Sequence, residues 1–495
     1  MKFLKRTLLL LIILIFGCKE NGSKVIISGN IKADTPYIVA FTTPINEAAY
    51  SPFKEKITPD SLGNFQIKLP LEKAAFVKLV ITKEDGFQQI TNTTLIVEPD
   101  KKYILNFDLN KKDKNEITSI NGFNKLAQQE LNKINNPIHI QVGARPFFKD
   151  SIASVIVSKV DSLRYIDISK FENLYKKDSI SKAFFELLKL DRAYYYEALK
   201  GTIGFVKFLM NERTKGMFNS EIKTMWESCF ENDLLTRSDF QNTEWGFAFA
   251  ENYLYYKGYE TVNFDFEKFN SRKYSSWITE SINLVDTLLP KSRLEFYKAA
   301  FLFNNLIQKN YEKELVTVFN DFKKEFPSSS YTKYLNPMIN EVIGFHEAIK
   351  EPFSEDIRFV KDYEGFNSFD EVLKSLKGEK LYVDFWATWC GPCKKEFKHS
   401  QELKKLLSKY NYKSLYVSID REEKHQQWLD MVKFYNLHGT HLRANEVLSK
   451  EISEMGVNYI PRYFLVDEEG HIIENKAKNP SQLEALEKQL IQLNR

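Results

Sequence analysis

The sequence predicts a multidomain chain: an N-terminal antiparallel β-sandwich, an all-α middle region and a C-terminal α/β domain. Three observations carry that expectation. Residues 24–109 hold short β-rich runs separated by Gly, Pro, Asn and Asp, which read as strands and turns. From about 115 to 348 apolar residues recur three and four apart while Pro and Gly thin out, as packed helices require. Beyond 366 the two patterns alternate, which suits a central sheet covered by helices. With 495 residues, 43% hydrophobic and 14% aromatic, the chain is too long for one core and has apolar material for several.

Residues 1–17 read as an address. Lys2, Lys5 and Arg6 precede an apolar run from Leu8 to Phe16 that is too short to span a bilayer as a permanent helix. Leu14-Ile15-Phe16-Gly17-Cys18 resembles the lipobox of bacterial lipoproteins, which implies cleavage before Cys18, acylation of that cysteine and a body held on a membrane outside the cytosol. The three leader cations supply most of the net charge of +4, so the rest of the chain has no electrostatic footprint for nucleic acid.

The sandwich is expected over 18–112, with strands at 24–31, 63–69 and 94–97 and a turn at Asp60-Ser61-Leu62-Gly63-Asn64-Phe65. Helices are expected over 113–348; 181–190 is a clear stretch, Pro327 separates two late helices, and the many Tyr and Phe read as packing between helices. Residues 349–365, acidic and with Pro352, read as a linker. In the last domain, 366–495, strands are expected at 380–386 and 413–419. Helices follow at 390 onward, 422–435 and 446–455, then a hairpin of 462–466 with 471–474 and a final helix over 480–493.

Only four cysteines occur, too few for a disulfide-stapled scaffold: Cys18, Cys229, Cys390 and Cys393. Cys229, in Met225-Trp226-Glu227-Ser228-Cys229-Phe230, reads as a buried small hydrophobe. Cys390 and Cys393 stand in Trp386-Ala387-Thr388-Trp389-Cys390-Gly391-Pro392-Cys393. A strand ends there and a helix begins, with Pro392 in the first turn, where a missing N–H costs nothing. Unpaired N–H groups and the positive helix end would pull the Cys390 thiol below its usual pKa of about 8.5. Cys393, one turn on, lies on the same face, placed to attack a mixed disulfide formed at Cys390. Asp384, pointing inward from the strand, could take the Cys393 proton. Trp386 and Trp389 are expected to shield the disulfide, and Lys394 and Lys395 to form a solvated face that favours the thiolate.

The stretch from Val383 to Lys394 resembles the active-site segment of thioredoxin, and the resemblance covers about 366–495. The added helical material between Ile419 and Arg462 looks like the exported, membrane-tethered (TlpA-like) subgroup of thiol-disulfide oxidoreductases. The resemblance implies a thioredoxin fold, a Cys390 nucleophile, a resolving Cys393, a redox disulfide between them, Asp384 as buried acid and a cis-proline at Pro461. Trp389, Ile460 and Pro461 would then meet the substrate; the Ile460 backbone could pair with an extended segment as an added strand. Arg462 departs from the small polar residue common after that proline, which touches substrate preference. The opening Ile-x-Gly-x-Ile, the Asp60 turn and Val97-Glu98-Pro99-Asp100 resemble the β-domain that precedes such modules in some bacterial lipoproteins.

Disulfide reduction in the cell envelope, periplasm or cell exterior is therefore expected. The implied donor is a membrane thiol-transfer protein, and the implied acceptors are disulfide-bearing exported proteins, apocytochromes c among them. No cofactor or metal is expected. Alternatives are an oxidase or isomerase using the same cysteines, and a surface binding lipoprotein in which the module is a scaffold. A zinc site would need His399, His438 or His441 beside the cysteines, with His438 and His441 in a loop. A peroxiredoxin-type peroxidase would place Thr where Ala387 stands.

Overall fold

The computed structural model describes residues 24–49, 54–83, 89–111, 118–137, 139–214, 218–270 and 274–493; the leader and Cys18 lie outside them. Eight strands open the chain: β1 (Lys24–Lys32), β2 (Tyr37–Thr42), β3 (Lys54–Ile57), β4 (Asn64–Pro70), β5 (Ala75–Lys83), β6 (Gln89–Val97), β7 (Lys102–Asp108) and β8 (Thr118–Gly122). They form two four-stranded sheets, ordered β4-β1-β7-β8 and β3-β2-β5-β6. Strict alternation in β4 and β7 turns Phe65, Ile67 and Leu69, with Tyr103, Leu105 and Phe107, into the core between the sheets. The expected turn at Asp60 is an Asx turn: the Leu62 and Asn64 N–H groups donate to the Asp60 carboxylate at 2.9 and 2.8 Å, and Gly63 takes φ 81°.

Two details differ from the sequence expectation. β1 and β7 run parallel, because the chain visits the second sheet between them. β8 lies within the segment expected to be helical; Thr-Ser-Ile-Asn-Gly has one buried apolar residue, Ile120, and is a strand because β7 supplies its partner.

The middle region is helical. Its long members are Ala153–Lys176, Lys182–Thr214, Gly246–Glu260, Tyr274–Leu288, Lys291–Ile307, Glu314–Glu325 and Thr332–Ala348, with Pro327 in the gap between the last two. Trp226 packs edge-on against Tyr256, and Phe208 against Tyr259, inside this region. The edge of β6 is covered by a side chain rather than a strand: Gln128 receives the Ile96 N–H at 3.1 Å and donates to the Ile96 carbonyl at 2.6 Å. Cys229 is fully buried, its thiol pushed up to about 12 by burial. Among the described residues no helix is long and apolar enough to cross a membrane.

The C-terminal sheet has six strands: β9 (Ile357–Phe359), β10 (Lys380–Trp386), β11 (Tyr412–Ser418), β12 (Gly439–Arg443), β13 (Arg462–Val466) and β14 (Ile472–Glu474), in the order β14-β13-β10-β11-β12-β9. β10 is central, parallel to β11 and antiparallel to β13. Helices cover the sheet, and this α/β arrangement is thioredoxin-like. β9 comes from the stretch expected as linker, and β12 from the stretch expected as loop; both are short and are specified by parallel pairing with each other and with β11.

Candidate active site

β10 is buried along nearly its whole length, and the Thr388-Trp389 turn carries the chain from its end to Cys390. Cys390 caps a short helix, Gly391–Glu396, which passes through a tight turn into a second helix, Ser400–Lys409. The brevity of the first helix matters little, since the electrostatic benefit at a helix start comes from its first turn. The Cys393 N–H donates to Cys390 Sγ at 3.2 Å. The two cysteines are joined by a disulfide, with Cα atoms 5.3 Å apart. Cys393 is fully buried and Cys390 is 3% exposed.

Asp384 points from β10 toward the face that holds the cysteine helix. It lies opposite Tyr416 on β11 and Tyr463 on β13, is 1% exposed, and its Oδ1 has no hydrogen-bond partner. Burial first, and then the like charge of Glu396, hold its carboxyl well above the ordinary aspartate range. Glu396 is itself buried and is satisfied by the Ser481 N–H at 2.9 Å and hydroxyl at 3.1 Å. Ile460–Pro461 is a cis peptide, and it leads into β13 beside β10. Arg462 donates to the Tyr459 hydroxyl at 2.8 Å, and Tyr459 is exposed.

Two side chains behave differently from the sequence reading. Trp386 is buried edge-on against Phe397, as expected, but Trp389 is 64% exposed and faces solvent, because the turn after β10 directs it outward. Lys395 is exposed, yet Lys394 is 3% exposed: the helical region covers that side of the cysteine helix.

The histidines do not join the cysteines. His441 is buried on β12, its Nε2 2.7 Å from the Leu437 carbonyl and its ring stacked on Tyr416, and burial lowers its pKa to about 4. Among the described residues the cysteines belong to no group of metal-ligating side chains.

Sequence reasoning missed two residues here, Asp420 and Glu396, and misread the burial of a third, Lys394. Asp420 accepts from the Thr388 N–H at 2.8 Å and hydroxyl at 2.7 Å; its signal was its place just past β11, where the ends of neighbouring parallel strands meet. Glu396 could have been found one turn beyond Cys393, on the same inward face. The burial of Lys394 had no local signal, since its partners come from elsewhere in the chain.

The Redoxin family profile matches residues 363–490. Thiol-disulfide oxidoreductase ResA of Bacillus thuringiensis is 34% identical over 104 residues, 21% of this chain and 57% of that protein, so the chain spans somewhat over half the length of the relatives it matches. The thioredoxin domain of a thiol-disulfide oxidoreductase from Bacteroides vulgatus is 23% identical, with a TM-score of 0.21, over 24% of this chain and 84% of that one. StoA from Bacillus subtilis is 26% identical, with a TM-score of 0.19, over 23% and 82%. The last quarter of this chain is thioredoxin-like in fold, carries a bonded Cys390–Cys393 pair and is similar in sequence to the thiol-disulfide oxidoreductase ResA.

Proposed function

We propose that the chain is a thiol-disulfide oxidoreductase that reduces disulfides of exported proteins. The observation that carries this reading is the bonded Cys390–Cys393 pair at a helix start, on the helix whose Glu396 acts on the buried Asp384 carboxyl. In the reduced protein the Cys390 thiolate attacks one sulfur of a substrate disulfide, forming a mixed disulfide and releasing the first substrate thiolate, which takes up a proton. Cys393 passes its proton to Asp384 and attacks Cys390 Sγ, expelling the second substrate thiolate. Two electrons move to the substrate, and Cys390–Cys393 is left as the disulfide seen in the structure. Re-reduction calls for a dithiol donor, which for an exported chain is a membrane thiol-transfer protein.

Trp389, next to Cys390 in the chain, and Tyr459, next to the cis Ile460–Pro461 peptide that leads into β13 beside β10, are both exposed. An extended cysteine-bearing segment docked there would be read by backbone pairing and aromatic contact. Trapping tests the function. Full-length Cys393→Ser should accumulate mixed disulfides through Cys390 with exported proteins, apocytochromes c among the candidates; recovery of none from the envelope fraction would defeat the proposal.

The finer placement, a TlpA-like lipoprotein held by acylated Cys18, rests on the sequence alone. Cys18→Ala should move the protein from the membrane to the soluble fraction, and continued retention would remove the lipid anchor.

A further inference from the structure

The exposed lysine expected after Cys393 is instead the meeting point of the thioredoxin-like domain and the helical region. The Lys394 ammonium folds back along its helix and donates to the Thr388 carbonyl at 2.7 Å and to the Lys309 carbonyl at 3.1 Å. Thr388 is thus gripped from two sides, its N–H and hydroxyl by Asp420 and its carbonyl by Lys394. The gripped peptide is the turn that delivers Trp389 to the surface and Cys390 to the helix start. A buried ammonium needs such acceptors to replace lost hydration. Burial lowers its pKa to about 8, against the opposing pull of Asp420.

Lys309 belongs to a turn anchored firmly in the helical region. Two residues on, the Tyr311 hydroxyl donates to Glu341 at 2.8 Å and lies 2.6 Å from the Tyr435 hydroxyl of the thioredoxin-like domain. The Tyr311 ring stacks on Phe345 and meets Phe434 edge-on. Tyr435 packs on Phe397, and Phe397 packs edge-on against Trp386. Aromatic contact therefore runs unbroken from the helical region to the residue that ends β10.

We propose that Lys394 is a positioning residue through which the helical region sets the active-site turn and tunes the Cys390–Cys393 pair. The helical region is then part of the redox site rather than a separate module. The inference rests on the thiol-disulfide reading above. It has a definite sign: a cation folded back to the turn before Cys390 stabilises the thiolate, and so favours the reduced dithiol. Its removal makes the pair more reducing.

The test is the redox equilibrium of full-length wild type and Lys394→Met with glutathione, read by thiol alkylation. The equilibrium constant for reducing the Cys390–Cys393 disulfide should fall about tenfold in the variant, equal to a potential about 30 mV more negative. A constant within twofold of wild type overturns the proposal. Reductive methylation of the native wild-type chain, read by peptide mass spectrometry, gives a second measurement that needs no variant: Lys394 should be protected while neighbouring Lys395 reacts. Equal reactivity also overturns it, and this result decides alone if Lys394→Met does not fold. Absence of reductase activity in wild type would count against the function proposed above, whereas the equilibrium and the methylation read Lys394 independently of turnover.

Discussion

Cys390→Ser should abolish disulfide reduction, with kcat/KM in an insulin-type assay lower by roughly 10³-fold or more, about 4 kcal/mol of lost transition-state stabilisation. A serine hydroxyl at this helix start stays protonated at neutral pH, so the Cys393 N–H that now meets Cys390 Sγ has no anion to stabilise. The fold should survive the loss of the Cys390–Cys393 bond, because the turn is still held by Asp420 and Lys394. Far-UV circular dichroism and the melting temperature check that point. Turnover in Cys390→Ser at anything near the wild-type rate would rule out the assigned nucleophile and leave the thioredoxin-like domain as a scaffold.

Asp384→Asn is the second large effect, and it has two readouts. At neutral pH the rate of disulfide reduction should fall about 10²-fold, the loss expected when a positioned proton acceptor is removed. Stability should change with the opposite sign. Burial and the charge of Glu396 raise the Asp384 pKa in the folded chain, so there is a pH interval in which the folded state holds a proton that the unfolded state has released. Within it the folded state binds more protons, and stability falls as pH rises from about 4, the unfolded aspartate value, until the raised folded value is passed. Asparagine has no proton to lose. The variant should therefore lack that decline and be more stable than wild type above the interval, as chemical denaturation at a series of pH values would measure. An unchanged rate together with an unchanged decline would show that the carboxyl is not the proton acceptor.

The parts of this protein that were legible in its sequence are those whose cause is local. The β-rich run expected over 63–69 announced the strand Asn64–Pro70, Pro327 marked a break between helices, and the Asp60 turn needed only an aspartate and a glycine at fixed spacing. The Cys390–Cys393 pair was legible for the same reason: a strand end, a proline in the first helical turn and a second cysteine one turn on specify one another within a few residues. Asp384 was expected inward from the strand register and from the resemblance to the thioredoxin active-site segment, and it is buried.

What the tertiary structure decided are features whose partners are distant along the chain. β8, β9 and β12 are strands because other strands accept them, and their own few residues carry little pattern. Asp420 reaches Thr388 across 32 residues and Lys394 reaches Lys309 across 85. Periodicity reports which face of an element is apolar, but not which distant element will cover it. The covering of one helix face by the helical region turned a lysine that reads as solvated into a buried cation at the redox turn, and that outcome depends on docking between parts of the chain rather than on the residues beside it.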